Sequence, residues 1–125
     1  MKNKIQVIIM DDHQSIVDGY LFRLSQVPEI EVVKTLEYGE DLEPTLKKHP
    51  VDVLILDVEV PASRENQNSY PILHTIPKLL KMYPHLAILV ISMHNEPGLI
   101  RAIVEAGAGG YILKNDSSKI QELGK

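Results

Sequence analysis

Five short apolar runs punctuate the chain, and four of them lead at once into a group that can hold a cation, attack an electrophile or carry charge. Residues 5–10 run into Asp11-Asp12, residues 53–56 into Asp57, residues 86–91 into Ser92 and residues 111–113 into Lys114, whereas residues 32–36 give way to Glu37. Any one of these polar residues is explained by a strand returning to solvent. Three carboxylates, a hydroxyl and a lysine at successive run ends specify more than that. Carboxylates about 5 Å apart at an effective dielectric near 20 repel by roughly 3 kcal/mol per pair, so such a cluster takes up a proton or a cation. A hard divalent ion suits it, magnesium in particular, because magnesium is content with one or two carboxylates, retained waters and phosphate oxygens. Lys114 adds a positive charge that can pair with Asp57 when the site is empty and with a phosphoryl oxygen when it is filled. With Ser92 as a donor to that oxygen, the set is suited to phosphoryl transfer onto Asp57 as nucleophile.

These groups meet only if the runs are strands of one sheet. All five are rich in Ile, Val and Leu and too short for helices, and apart from Gln6, Lys34 and Thr35 they are continuously apolar, as in parallel strands covered on both faces. Helical spacing lies between them. Ile16, Val17, Tyr20, Leu21 and Leu24 share one helical face ahead of Pro28, and Leu99, Ile100, Ile103 and Val104 share another. The second of these helices is expected to take Asn95 as N-cap, Pro97 in its first turn and Gly107 as terminator. Residues 42–48 predict a short helix capped by Asp41; residues 73–83 predict one in which Pro77 sits in the first turn or makes a kink. Residues 117–123 read as the start of a last helix that the chain does not finish, while residues 61–71, polar and flanked by prolines, read as a surface loop. The alternation gives an α/β fold, an open parallel five-stranded sheet with right-handed crossovers and helices on both faces. In such sheets ligands bind beyond the carboxyl ends of the strands, where the reactive residues fall.

Composition agrees. The 125 residues are 44% hydrophobic and 24% charged, with no cysteine, so one globular domain with neither disulfides nor thiolate chemistry is expected. No apolar run approaches the roughly 18 residues of a membrane span, and residues 5–10 run too soon into Asp11 to be a signal-peptide core, so a cytoplasmic location is expected. A net charge of −4 without a Lys/Arg cluster gives this segment no electrostatic footprint for nucleic acid.

The order Asp11-Asp12-His13, Asp57-Val58-Glu59-Val60-Pro61, Ser92 and Gly110-Tyr111-Ile112-Leu113-Lys114 resembles a bacterial two-component response regulator receiver domain, nearest the NarL/FixJ type with a LuxR-type output domain. The resemblance covers essentially the whole chain, as one receiver domain over residues 1–125. It implies a flavodoxin-like, doubly wound (βα)5 fold with strand order 2-1-3-4-5, its last helix truncated here. It implies that Asp57 is the phosphoacceptor, Asp11 and Asp12 the acidic pair, Ser92 the hydroxyl switch residue, Lys114 the conserved-type lysine and Tyr111 the switch aromatic. Metal, Mg2+ or Mn2+, is implied at Asp11, Asp12, Asp57 and the backbone carbonyl of Glu59. Further implications are a sensor histidine kinase as partner, homodimerisation on phosphorylation, and DNA contact only through a C-terminal helix-turn-helix domain absent from this chain. The domain would be a phosphoacceptor that assists its own phosphorylation and dephosphorylation, not a turnover enzyme.

The loop is a departure. Residues 62–71 contain no glycine and outrun the usual connection to the third helix, either as a tolerated surface insertion or as a partner-specific or rate-setting element. His13, His49, His74, His85 and His94 lack helical i, i+4 pairing or a Cys/His cluster, so no zinc site is expected. His94, two positions past Ser92, is either an exposed loop residue or an influence on how water reaches the phosphoryl group. A magnesium-dependent phosphatase of haloacid dehalogenase type fits poorly, since it needs a second Asp where Glu59 stands. A flavodoxin-like electron carrier fits poorly too, since Asp11-Asp12 would repel a flavin phosphate. An unphosphorylated receiver-like interaction module is opposed only by the intact acidic pair.

Overall fold

The structure, a computed structural model, describes residues 4–114. The expected start of a last helix at residues 117–123 lies outside them. In chain order the elements are β1 (Ile5–Met10), α1 (Gln14–Ser25), β2 (Ile30–Leu36), a 3-10 turn (Gly39–Asp41), α2 (Leu42–Lys48), β3 (Val53–Asp57), α3 (Ile72–Met82), β4 (Ala87–Ser92), α4 (Pro97–Glu105) and β5 (Gly110–Leu113). The five strands form one parallel sheet in the order β2-β1-β3-β4-β5, the order the resemblance implies. β1 and β3 are parallel neighbours, so their carboxyl ends lie side by side, and the strand order reverses between them; Asp11 and Asp57 emerge at this switch point.

Strand alternation divides the core into two layers. Ile8, Met10, Leu54, Leu56, Ile88 and Val90 face α2, α3 and α4, packing on Leu42, Leu46, Ile76, Leu79 and Ile103. Val7, Ile9, Val53, Ile55 and Ile91 turn to the other side and pack on Tyr20 and Leu24 of α1. Every residue of β3 is buried, so the strand that carries Asp57 is held on both faces.

Helix ends differ from expectation in three places. Glu96, not Asn95, is the N-cap of α4, because the residue before Pro97 is driven to extended backbone (φ −66°, ψ 125°). Asp41 does stand at the N-cap of α2, but its backbone is already helical after the 3-10 turn and its side chain makes no capping bond. Pro77 lies past the first turn of α3 and the helix runs on through it. Both Pro77 and Leu73, whose carbonyl loses its i+4 donor there, are exposed, so water can take the place of the missing N–H. Gly107 follows α4 with φ +119°, as a helix terminator should.

The long connection is built from its own hydrogen bonds. Ala62 N donates to Asn68 O (2.9 Å), Tyr70 N to Val60 O (2.8 Å) and Asn66 N to Ser63 Oγ (2.9 Å), closing a small antiparallel loop with Pro61 bridged to Ser69. Gly39 N and Glu40 N then donate to the carbonyls of Pro61 and Ala62, at 2.9 and 2.8 Å, tying the loop to the start of the 3-10 turn. Gly39 permits this approach, for a Cβ there would run into the ring of Tyr70. Gly39→Ala is therefore expected to destabilise by about 1–3 kcal/mol. Gly98→Ala, where a Cβ meets no atom within 4 Å, should cost nothing. Urea unfolding of both variants checks this, and equal midpoints would refute the docking.

Candidate functional site

Asp57 is the last residue of β3 and only 1% exposed. Its Oδ2 lies 3.2 Å from Lys114 Nζ, and its Oδ1 receives a long hydrogen bond from Glu59 N at 3.4 Å. Asp11 follows β1, with its backbone N–H bonded to Leu36 O, and its side chain is wholly buried. Asp11 Oδ1 accepts the backbone N–H of His13 at 2.9 Å, a local turn that fixes the carboxylate, while Oδ2 stands 3.3 Å from the same Lys114 ammonium. Lys114, next after β5, has a side chain only 4% exposed and sits between the two buried acids. Asp12 completes the acidic pair from a more open position, with a third of its side chain in contact with solvent.

The charges do not balance, since three carboxylates face one lysine. Burial, and then the charge of Asp11, push the Asp57 carboxyl up to about 6, with Lys114 and the Glu59 N–H pulling the other way. Asp57 is therefore ionised at neutral pH yet more basic than an ordinary carboxylate, which suits a nucleophile. Burial, then Asp11 and Asp57, likewise push the Tyr20 hydroxyl up to about 12. Among the described residues, the buried side-chain polar atoms without a hydrogen-bond partner are Asp11 Oδ2, Asp57 Oδ2 and Tyr20 OH. Lys114 Nζ pairs electrostatically with the first two, at 3.3 and 3.2 Å. Unfilled carboxylate lone pairs and surplus negative charge are what a hard divalent cation requires, so the residues present fit magnesium or manganese.

Ser92 ends β4 beside Asp57's strand and is 1% exposed; its Oγ accepts the backbone N–H of His94 at 2.9 Å. Tyr111, partly buried on β5, donates its hydroxyl to the carbonyl of the same His94 at 2.7 Å. The His94 imidazole in turn meets the Glu59 carboxylate at 2.9 Å, across the loops that follow β3 and β4. That contact, with Glu96 adding to it, holds the His94 imidazole above its usual pKa. All the residues singled out from the sequence thus gather at one edge: Asp11, Asp12, Asp57 and Lys114 at the centre, with Ser92, Tyr111 and Glu59 joined through His94. His49, His74 and His85 are exposed elsewhere. His13 was missed. Its Nδ1 faces Asp11 Oδ1 at 3.0 Å and Asp12 Oδ1 at 3.3 Å, a placement produced by the Asp11 turn that no test of helical spacing detects.

Residues 7–123 match the response regulator receiver domain family. The transcriptional regulatory protein DegU of Brevibacillus brevis is 33% identical over 113 residues, which cover 90% of this chain and 45% of DegU. The isolated receiver domain of RcsB from Salmonella enterica serovar Typhimurium, solved with the phosphomimetic BeF3-, superposes with a TM-score of 0.83 at 27% identity, covering 96% of this chain and 85% of that one. RcsB bound to the promoter rprA, also with BeF3-, gives a TM-score of 0.81 at 27% identity over 98% of this chain and 58% of that one. The chain spans about half the length of the curated relatives it matches. On this match, and on a sheet order and switch-point site that agree with it, the chain belongs to the response regulator receiver domain family of NarL/FixJ type, whose members are phosphorylation-dependent switches in two-component signalling.

Proposed function

We propose that this chain takes a phosphoryl group on Asp57 and reads it out through Ser92 and Tyr111. One observation carries the reading: the buried Asp57 carboxylate keeps an oxygen without a hydrogen bond, 3.2 Å from Lys114 and beside a second buried acid. An Asp57 oxygen attacks phosphorus, the bond from phosphorus to the donor's leaving atom breaks, and an acyl phosphate forms. Asp11, Asp12, Asp57 and the Glu59 carbonyl would hold a Mg2+ or Mn2+ ion, which when bound neutralises charge on the transferring group. Lys114, freed from Asp57 Oδ2, follows the charge onto a phosphoryl oxygen. Ser92 donates to a phosphoryl oxygen, a charge-assisted bond that exists only in the phosphorylated state. That pull loosens the hold of Ser92 on His94, and Tyr111, bonded to the same residue, moves with it and remodels the face of α4 and β5.

The phosphoryl group would come from a sensor histidine kinase. The domain assists its own phosphorylation and dephosphorylation without being a turnover enzyme. By analogy with RcsB on its promoter, the altered face would promote homodimerisation and control a C-terminal helix-turn-helix domain in a transcriptional output. No helix among the described residues is long and apolar enough to cross a membrane. The two-component role proposed here would be played in the cytoplasm. Intact-mass measurement after acetyl phosphate and magnesium should show one added phosphoryl group on the wild type and none on Asp57→Asn. Equal labelling of both would overturn the assignment.

A further inference from the structure

We infer that the Tyr20 hydroxyl is a reserve donor for the phosphorylated site: it has no partner at rest, and it donates to Asp57 Oδ2 once Lys114 has left that oxygen for the phosphoryl group. This rests on the reading of Asp57 as the phosphoacceptor. Tyr20 belongs to α1 and stands outside the acidic cluster, its ring packed in the layer that holds Val7, Ile9, Ile55 and Ile91. The residue is 2% exposed, and its hydroxyl is buried with nothing to bond. A buried tyrosine hydroxyl normally finds a partner, because leaving it unmet is costly. Phenylalanine would fill the same space without that cost. The fold aims the hydroxyl at the site. His13 is the N-cap of α1, directly after Asp11 and Asp12, so the helix begins at the carboxyl edge of the sheet. Helical side chains lean toward the helix N-terminus, which carries the Tyr20 hydroxyl toward that edge.

Two further observations agree with that direction. Tyr20 and Lys114 line one cavity of about 190 Å3, together with Ser15 and Arg23. The charges of Asp11 and Asp57 also reach the hydroxyl and add to burial in holding its proton on, so it stays a donor. Asp57 Oδ2 is the acceptor that phosphorylation leaves behind. At rest it is buried without a hydrogen bond and faces the Lys114 ammonium at 3.2 Å. Because Oδ2 is closed off, phosphorus goes to Oδ1: the bond from Oδ1 to phosphorus forms as the bond from phosphorus to the donor's leaving atom breaks, and Oδ2 becomes the carbonyl oxygen of the acyl phosphate. Negative charge then lies on the phosphoryl oxygens and Lys114 follows it. Oδ2, no longer a carboxylate oxygen, is suited to a neutral donor in place of a cation, and the phenol supplies one. A bond made in one state only contributes to the switch.

Tyr20→Phe in the full chain separates this role from packing, through two measurements that a merely structural tyrosine would move together. Without phosphoryl group or metal, urea unfolding should give the variant a midpoint equal to or above that of the wild type, since only an unpartnered polar group is lost. Titration with beryllofluoride at fixed magnesium, followed by fluorine NMR, should show binding to the variant weakened about three- to tenfold, the loss of one neutral hydrogen bond. Affinity within about twofold of the wild type, or tighter, would overturn the inference, because the hydroxyl then gains no partner. A resting midpoint below that of the wild type would overturn it as well, because the hydroxyl then has a partner already. Whether beryllofluoride binds the wild type at all tests the phosphoacceptor reading, and only the comparison with Tyr20→Phe tests this one, so the two failures are separable.

Discussion

In a buffer with a chelator, Asp57→Asn should raise the free energy of unfolding at neutral pH by about 2 kcal/mol, and the gain should disappear in acid. The carboxyl is pushed from 3.8 up to about 6 in the folded state, by burial first and the charge of Asp11 second. A folded-state pKa above the unfolded value means that the neutral form is the one the fold favours. The associated stability is complete below pH 3.8 and is lost as pH rises through about 6. Asparagine suffers no such loss. It also leaves one buried acid, Asp11, matched to one lysine at 3.3 Å, where the wild type crowds two acids around that lysine. The difference between variant and wild type should therefore open between these two pH values and stay constant above them. Divalent cation should narrow it by stabilising the wild type, which has the extra carboxylate ligand. Urea unfolding across that pH range measures this, and a variant no more stable than the wild type at neutral pH would show that the Asp57 charge is already fully compensated.

Lys114→Met should act in the opposite direction, costing about 3 kcal/mol at neutral pH without metal. Methionine keeps most of the length and apolar stem of a side chain that is only 4% exposed, so packing is largely spared and the charge is what disappears. Asp11 and Asp57 then stand buried without the ammonium 3.3 and 3.2 Å from them. Because Lys114 is a force holding the Asp57 carboxyl down, its removal pushes that group higher, so acid should restore part of the loss. Adding Asp57→Asn to Lys114→Met should recover more stability than Asp57→Asn gives alone, the mark of a direct interaction in a double-mutant cycle. Additive effects, or a loss below about 1 kcal/mol, would mean that Lys114 is screened by solvent rather than bonded into the site.

The fold was legible where hydrophobic burial decides it. All five apolar runs fall on strands, which also take in Ile30, Glu31, Asp57, Ser92 and Gly110 and leave out Leu86, because strand pairing is made by backbone groups that side-chain polarity does not report. Helix ends were less legible because neighbouring backbone overrides the capping residue, as Pro97 does at Glu96 and the 3-10 turn does at Asp41. The principal acids, lysine and serine were readable because a parallel sheet carries strand ends to one edge. The residues that connect them were not. His94 joins Glu59 across 35 positions and Tyr111 across 17, contacts that depend on how loops meet in space. His13 left a fainter trace, an Asp two residues before a histidine N–H, which is the pattern of a local turn and not of a helical metal pair.

The central claim is that the acceptor is Asp57 and not one of the acids beside it. Borohydride reduction of the chain immediately after treatment with acetyl phosphate and magnesium converts an aspartyl phosphate to homoserine, and peptide mapping then gives its position. Homoserine at position 57 alone is the predicted result; homoserine at position 11 or 12, or a phosphoryl group recovered on His13 with position 57 intact, would contradict it.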